Sequence, residues 1–139
     1  MKRKPIRKSK KSERTKAIEA NDDILREIVR LRDNYTCQKT RFKGDKYTID
    51  VAHFYSREYK RVRWDLDNVC CLRKGTHSYW AHKKFQEFSE WWEERIGSEK
   101  FERLKLKARV RGTIYTSEIK LLKLDLLNKL DYYKKRAGV

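Results

Sequence analysis

The chain has 139 residues, enough for one compact domain plus a tail. Its 37 Lys and Arg outnumber 20 Asp and Glu, leaving a formal charge of +17. That excess favours a polyanionic partner, because basic side chains near phosphates release condensed counterions. Charge by itself does not separate DNA from RNA or from an acidic membrane surface. No run approaches the ~18 apolar residues of a membrane span, and the basic start of the chain lacks the apolar stretch of a secretory signal. Cys37, Cys70 and Cys71 are too few, and too closely placed, for a disulfide framework. A reducing, cytoplasmic setting and no membrane partner are expected.

Residues 1–16 form a basic block that includes Lys2, Arg3, Lys4 and Lys8, with Glu13 as the single acid. Such a block repels itself and is expected to be disordered without a partner. It reads as a DNA-backbone arm or, alternatively, as a solubilising tail. From about residue 17 the pattern turns helical, with Ile24, Ile28 and Leu31 on one face, widened by Leu25 and Val29. A stop is expected near Asp33-Asn34. Tyr35, Thr36, Tyr47, Thr48, Ile49 and Val51 are strand formers around a turn at Lys43-Gly44-Asp45. They predict a hairpin or ribbon ending at His53. A loop with Arg57, Lys60, Arg61 and Arg63 follows, then a second strand region from Trp64 to Leu72. One of Cys70 and Cys71 is expected to be buried, since alternate strand residues face opposite ways.

Gly75-Thr76 precedes a long helical pattern with Phe85, Phe88, Trp91 or Trp92, and Ile96 on one face. Gly97 suits a C-terminal cap and Ser98 an N-cap for a next helix bearing Phe101, Leu104 and Ala108. After a connector from Arg109 to Tyr115, a last helix starts near Thr116 or Ser117. Its buried stripe is Ile119, Leu122, Leu126, Leu130 and Tyr133, broadened by Leu121, Leu124 and Leu127. This helix either packs on its own domain or forms a homodimer contact.

Chemistry concentrates in Asp50-Val51-Ala52-His53-Phe54-Tyr55-Ser56-Arg57, in Arg63-Trp64-Asp65-Leu66-Asp67-Asn68, and in Thr76-His77. A His at a strand end, an Asn after a turn and a His opening a helix follow a β-β-α order. That order resembles the HNH nucleases, also called ββα-metal nucleases, and in particular phage-type members such as the lambdoid recombination nucleases. The likeness extends upstream to Leu31-Arg32-Asp33-Asn34-Tyr35-Thr36-Cys37 and downstream to the segment from Trp91 to Leu104, so that it covers about residues 24–108.

The resemblance implies an α+β, mostly helical fold. Its ββα-metal core is a short β-hairpin or ribbon plus a helix, flanked by N- and C-terminal helices. The expected division is a disordered tail over 1–16, a nuclease domain over 17–108 and a helical extension over 109–139. It also implies an endonuclease acting on double-stranded or branched DNA in a bacterial or phage-infected cell. By resemblance His53 is the general base, Asn68 orients it through its loop, and His77 is a metal ligand. A neutral imidazole near its natural pKa can take a proton from water at cellular pH. One divalent ion, Mg²⁺ or Mn²⁺, or Zn²⁺ or Ni²⁺ in the same catalytic site, would stabilise the phosphate and leaving group.

Many members place an acid or His directly before the catalytic His, where this chain has Ala52. Asp50 is the nearest acid and shares strand parity with Ala52, so it is the candidate second ligand. His82 lies five residues after His77, roughly 140° around an ideal helix, and is expected on the helix surface. Arg57, Arg61 and Arg63 are expected near substrate, because Arg can grip phosphate oxygens with two parallel bonds. For Arg63 the alternative is a salt bridge to Asp65 or Asp67. Trp64 is expected in the core.

Family members commonly hold a structural zinc with two Cys-x-x-Cys pairs. These correspond here to Cys37-Gln38-Lys39-Thr40 and Arg73-Lys74-Gly75-Thr76, so three of four ligands are missing and no structural zinc is expected. Hydrogen bonds from Thr40 and Thr76, or packing of Cys37, would replace it. Two other readings compete: a non-catalytic DNA-binding protein that keeps the fold, and an RNA-binding basic protein. The last explains the charge but not the spacing of His53, Asn68 and His77.

Overall fold

A computed structural model describes residues 1–7 and 9–139. Lys8, counted above with the basic arm, lies outside the described residues. The fold is α+β and mostly helical, with a two-stranded antiparallel sheet.

Helix α1 spans Glu13–Arg32. It begins earlier than expected, so Arg14 and Lys16 belong to a helix and not to a disordered tail. Ser12 caps it, its side chain accepting the Thr15 N–H at 3.1 Å. Arg14 Nη1 then donates to the Ile114 carbonyl at 2.6 Å, and Glu13 pairs with Lys120. These distant contacts offset the charge repulsion that argued for disorder. Residues 1–7 and 9–12 carry no helix or strand. The helix stops where expected, with Asn34 and Tyr35 in the left-handed region at φ 52° and 50°.

The expected ribbon over 35–48 does not form. Its only pairing among the described residues is an isolated bridge, Thr36 with Lys43. Local bonds win over β propensity here. The Asp45 carboxylate accepts the N–H groups of Tyr47 and Thr48 at 2.9 and 3.1 Å. Gly44 lies so close to Thr48 that any side chain would meet its hydroxyl. Upstream, the Cys37 N–H reaches the Phe42 carbonyl and the Arg41 N–H reaches the Cys37 carbonyl, both at 2.8 Å. Cys37 is fully buried, and its Sγ accepts the Thr40 N–H at 3.5 Å. Thr40 thus holds this turn as expected, whereas Thr76 opens the next helical segment.

Strand β1, Ile49–His53, pairs antiparallel with β2, Val69–Arg73, placing His53 opposite Val69 and Asp50 opposite Leu72. The second strand therefore starts later than the expected Trp64, after a 3-10 turn over Leu66–Asn68. Both Cys70 and Cys71 are buried, correcting the expectation of one. Cys71 faces α1, its Sγ 3.7 Å from the Val29 carbonyl, and β2 is covered on both faces.

The long helix expected from Gly75 is broken. A π-helical turn covers Thr76–Ala81, and α2 starts afresh at Phe85–Ile96 after Lys84 leaves helical geometry at ψ 60°. Phe88 and Trp92 are its buried face. Gly97, at φ 89°, ends α2 and begins α3, Ser98–Ala108. Ser98 is the first residue of α3 and not its cap, a position taken by Gly97.

Helix α4, Thr116–Ala137, packs along α1 and runs in the same direction, with Glu13 beside Lys120 and Glu27 beside Lys134. Ile119, Leu126 and Leu130 share one core cluster with Leu25, Ile28 and Val29, so no packing boundary falls at residue 108. Tyr133 is only partly covered, and Leu122, expected in the buried stripe, is exposed like Leu121, Leu124 and Leu127. No helix among the described residues is long and apolar enough to cross a membrane.

Replacing Leu126, which is 2 % exposed, by Ala should destabilise the fold by about 2–5 kcal/mol in urea melts. Replacing the outward Leu124 by Ala should change stability by less than about 0.5 kcal/mol.

Candidate active site

Among the described residues β1 pairs only with β2, which leaves its other edge without a strand partner. Along that edge runs a cleft of about 440 Å³. Asp50, Val51 and His53 of β1, Ser56 and Arg57 of the following loop, and His77 and His82 line one side. Asp22, Leu25, Arg26 and Arg30 line the other, at the spacing of a single helix stripe on α1.

His53 is held by its Nε2, 2.9 Å from the Arg63 carbonyl oxygen. A carbonyl only accepts, so Nε2 carries the proton and Nδ1 keeps a lone pair. Burial lowers the His53 pKa below 6.5 and outweighs the carbonyl bond that raises it. The imidazole is therefore neutral at pH 7, with one nitrogen able to accept a proton.

Asn68 is fully buried. Its Oδ1 accepts the Tyr55 N–H at 2.8 Å, and its Nδ2 donates to the Tyr55 and Val62 carbonyls, both at 3.0 Å. It clasps the two ends of the loop whose Arg63 carbonyl holds His53. Asn68 thus acts on His53 through the loop, as a positioning residue.

The partner of Arg63 is Asp22, not Asp65 or Asp67. Arg63 Nε and Nη2 donate to the two Asp22 oxygens at 3.0 and 2.6 Å, and the Trp64 indole N–H donates to Asp22 at 2.9 Å. Burial raises the Asp22 pKa, but the bonds from Arg63 and Trp64 outweigh it and hold the carboxyl below its ordinary value. The Arg63 guanidinium is thereby committed to a structural pair, while Trp64 is in the core as expected. Asp22 was missed in the sequence. The available signal was an acid on the buried stripe of Ile18, Leu25 and Val29.

Of the other expected contacts, Arg57 is exposed and lines the cleft. Arg61 faces Glu118 at 3.9 Å and lies outside the cleft. Lys2, Arg3 and Lys4 are exposed and not part of the cleft wall.

His77 Nδ1 is 3.1 Å from Asp50 Oδ2, so the two candidate metal ligands meet. His82 joins them, its ring centroid 5.1 Å from that of His77. His82 is exposed, as expected of a helix-surface residue, but the π-helical turn brings it nearer to His77 than an ideal α-helix would. The i→i+5 hydrogen bonds of that turn widen it and bring residues five apart onto one side. A carboxylate and imidazoles suit a divalent ion. Among the described residues no three His, Cys, Asp or Glu side chains already surround one point. Water and phosphate oxygens would complete such a shell.

The chain matches no protein-family model, no curated protein and no solved structure.

The lowered His53 pKa has a measurable consequence. The unfolded chain, with an ordinary His, binds more protons than the folded chain between the two pKa values, so stability rises with pH there. The His53 contribution should be complete above about pH 6.5 and lost as pH falls through the folded value. NMR titration of the imidazole should show a midpoint below 6.5; a midpoint at or above it would contradict the burial argument.

Proposed function

We propose that this chain is a metal-dependent DNA endonuclease of the HNH, or ββα-metal, type. The observation that supports it most is the His53 imidazole, held at Nε2 by the Arg63 carbonyl so that Nδ1 keeps its lone pair, in a residue that lines the cleft together with the His77–Asp50 pair. The charge of +17 and the exposed Arg57 at the cleft suit a polyanionic strand.

In this reaction His53 Nδ1 takes a proton from water as the water oxygen attacks phosphorus. The new P–O bond forms as the bond from phosphorus to a sugar oxygen breaks. The Arg63 carbonyl, at the far side of the ring, stabilises the imidazolium that results. Asn68 and the Asp22–Arg63 pair keep that carbonyl in place. Arg57 can hold a phosphate oxygen by charge-assisted hydrogen bonding. Asp50 and His77, with His82 beside them, would hold one divalent ion, which when bound relieves charge on the phosphate and the leaving oxygen.

Supercoiled plasmid with Mg²⁺ or Mn²⁺ at low ionic strength tests this reading. The wild-type chain should nick it, EDTA should stop nicking, and added metal should restore it. His53→Ala should lose about 10²–10⁴-fold in rate. The rate should fall as pH drops below the His53 midpoint, because the base must be neutral. Binding without cleavage under both metals, from about pH 6 to 9, would instead identify a non-catalytic DNA-binding protein.

A further inference from the structure

The α1 wall of the cleft contains a cation without a counter-charge among the described residues. Arg30 lines the cleft together with His53, Asp50, His77 and Arg57. Its Nε is buried and has no hydrogen-bond partner among the described residues. Of the arginines nearby, Arg57 is likewise without an ion pair among the described residues but is exposed, and the others are paired. Arg26 pairs with Asp23, Arg32 with Asp33, and Arg63 with Asp22. The two carboxylates of the cleft are also engaged elsewhere, Asp22 with Arg63 and Trp64, and Asp50 with His77. Arg95 has buried unbonded nitrogens too, but its guanidinium stacks over Trp92 at 4.4 Å, away from the cleft. Arg30 has no such aromatic partner among the described residues.

A buried N–H without an acceptor lowers the stability of the fold. The Nε atom is sealed from solvent, so an anion in the cleft would meet the Nη nitrogens, which have no protein partner among the described residues. The two Nη groups of a guanidinium form a planar fork that matches two oxygens of a phosphate. Helix α1 holds Arg30 on the wall facing β1, across the cleft from His53 and Arg57, so a strand lying between them would meet cations on both sides.

We propose that Arg30 is a substrate-binding residue that grips a phosphodiester of the nucleic-acid strand lying in this cleft, its fork directed at the non-bridging oxygens. This rests on the cleft being the nuclease site proposed above, and it assigns the α1 wall to the substrate backbone.

The test measures binding and not cleavage. Anisotropy of a short fluorescein-labelled DNA duplex, in EDTA and across a salt series, compares wild type with Arg30→Met and Arg30→Lys. Methionine keeps an unbranched apolar stem and removes the fork. It should weaken binding by about 10- to 100-fold and reduce the salt slope by about one. Its melting temperature should equal or exceed that of wild type, since an unsatisfied buried group has been removed. Lysine should keep the salt slope but recover only part of the affinity, because it supplies the charge without the fork.

Wild-type affinity and slope in Arg30→Met would overturn the proposal. If Arg30→Met fails to fold, Arg30→Lys decides, and wild-type affinity in that variant overturns the fork. Because metal is absent from the assay, a wild-type chain that binds the duplex but never cuts plasmid would refute the nuclease reading and leave the Arg30 result standing.

Discussion

The buried carboxylate of Asp22 ties the two walls of the cleft together. It accepts hydrogen bonds from Arg63 and from the Trp64 indole, and so fastens the loop between the strands to the first helix. The Arg63 carbonyl is then fixed at the distance that holds the His53 ring. Burial of a carboxylate costs free energy unless it is bonded and paired, and here three donors satisfy it. Removing one partner would leave the others in a dry site without compensation. The orientation of the His53 lone pair therefore depends on a contact to a helix that lies far away in sequence.

Asn68 is the complementary clasp. It uses its side-chain oxygen and both amide hydrogens on backbone groups at the two ends of the same loop. Asp22 holds the loop from outside and Asn68 from beneath. In the proposed reaction both act through geometry, and His53 alone moves a proton. Each of these bonds is buried or part-buried, so little solvent competes for the groups that hold the loop.

The opposite end of the cleft has a different construction. A π-helical turn breaks what would have been one continuous helix and aligns His77 with His82, next to Asp50 on the first strand. Such turns recur at functional sites because they shift side chains relative to the α-helical repeat. The same break lets α2 begin anew at Phe85 and bury Phe88 and Trp92. In the turn near Cys37, protein hydrogen bonds hold the chain together.

The sequence by itself determined a mostly helical α+β chain and the amphipathic stripes of α1 and α4, and it singled out His53, Asn68 and His77 as candidates. These are local signals: hydrophobic period, helix-ending residues, and a short motif whose members lie close along the chain. Only the tertiary structure decided the rest. Tyr47 and Thr48 left the sheet because the Asp45 carboxylate captured their N–H groups, a competition that propensity does not register. His82 reached His77 because the helix widened over one turn. Arg63 turned away from Asp65 and Asp67 to Asp22, and Arg26 and Arg30 came to face the strands, because α1 packs beside the sheet edge. Burial selects pairings between residues far apart in sequence, and no spacing along the chain records them.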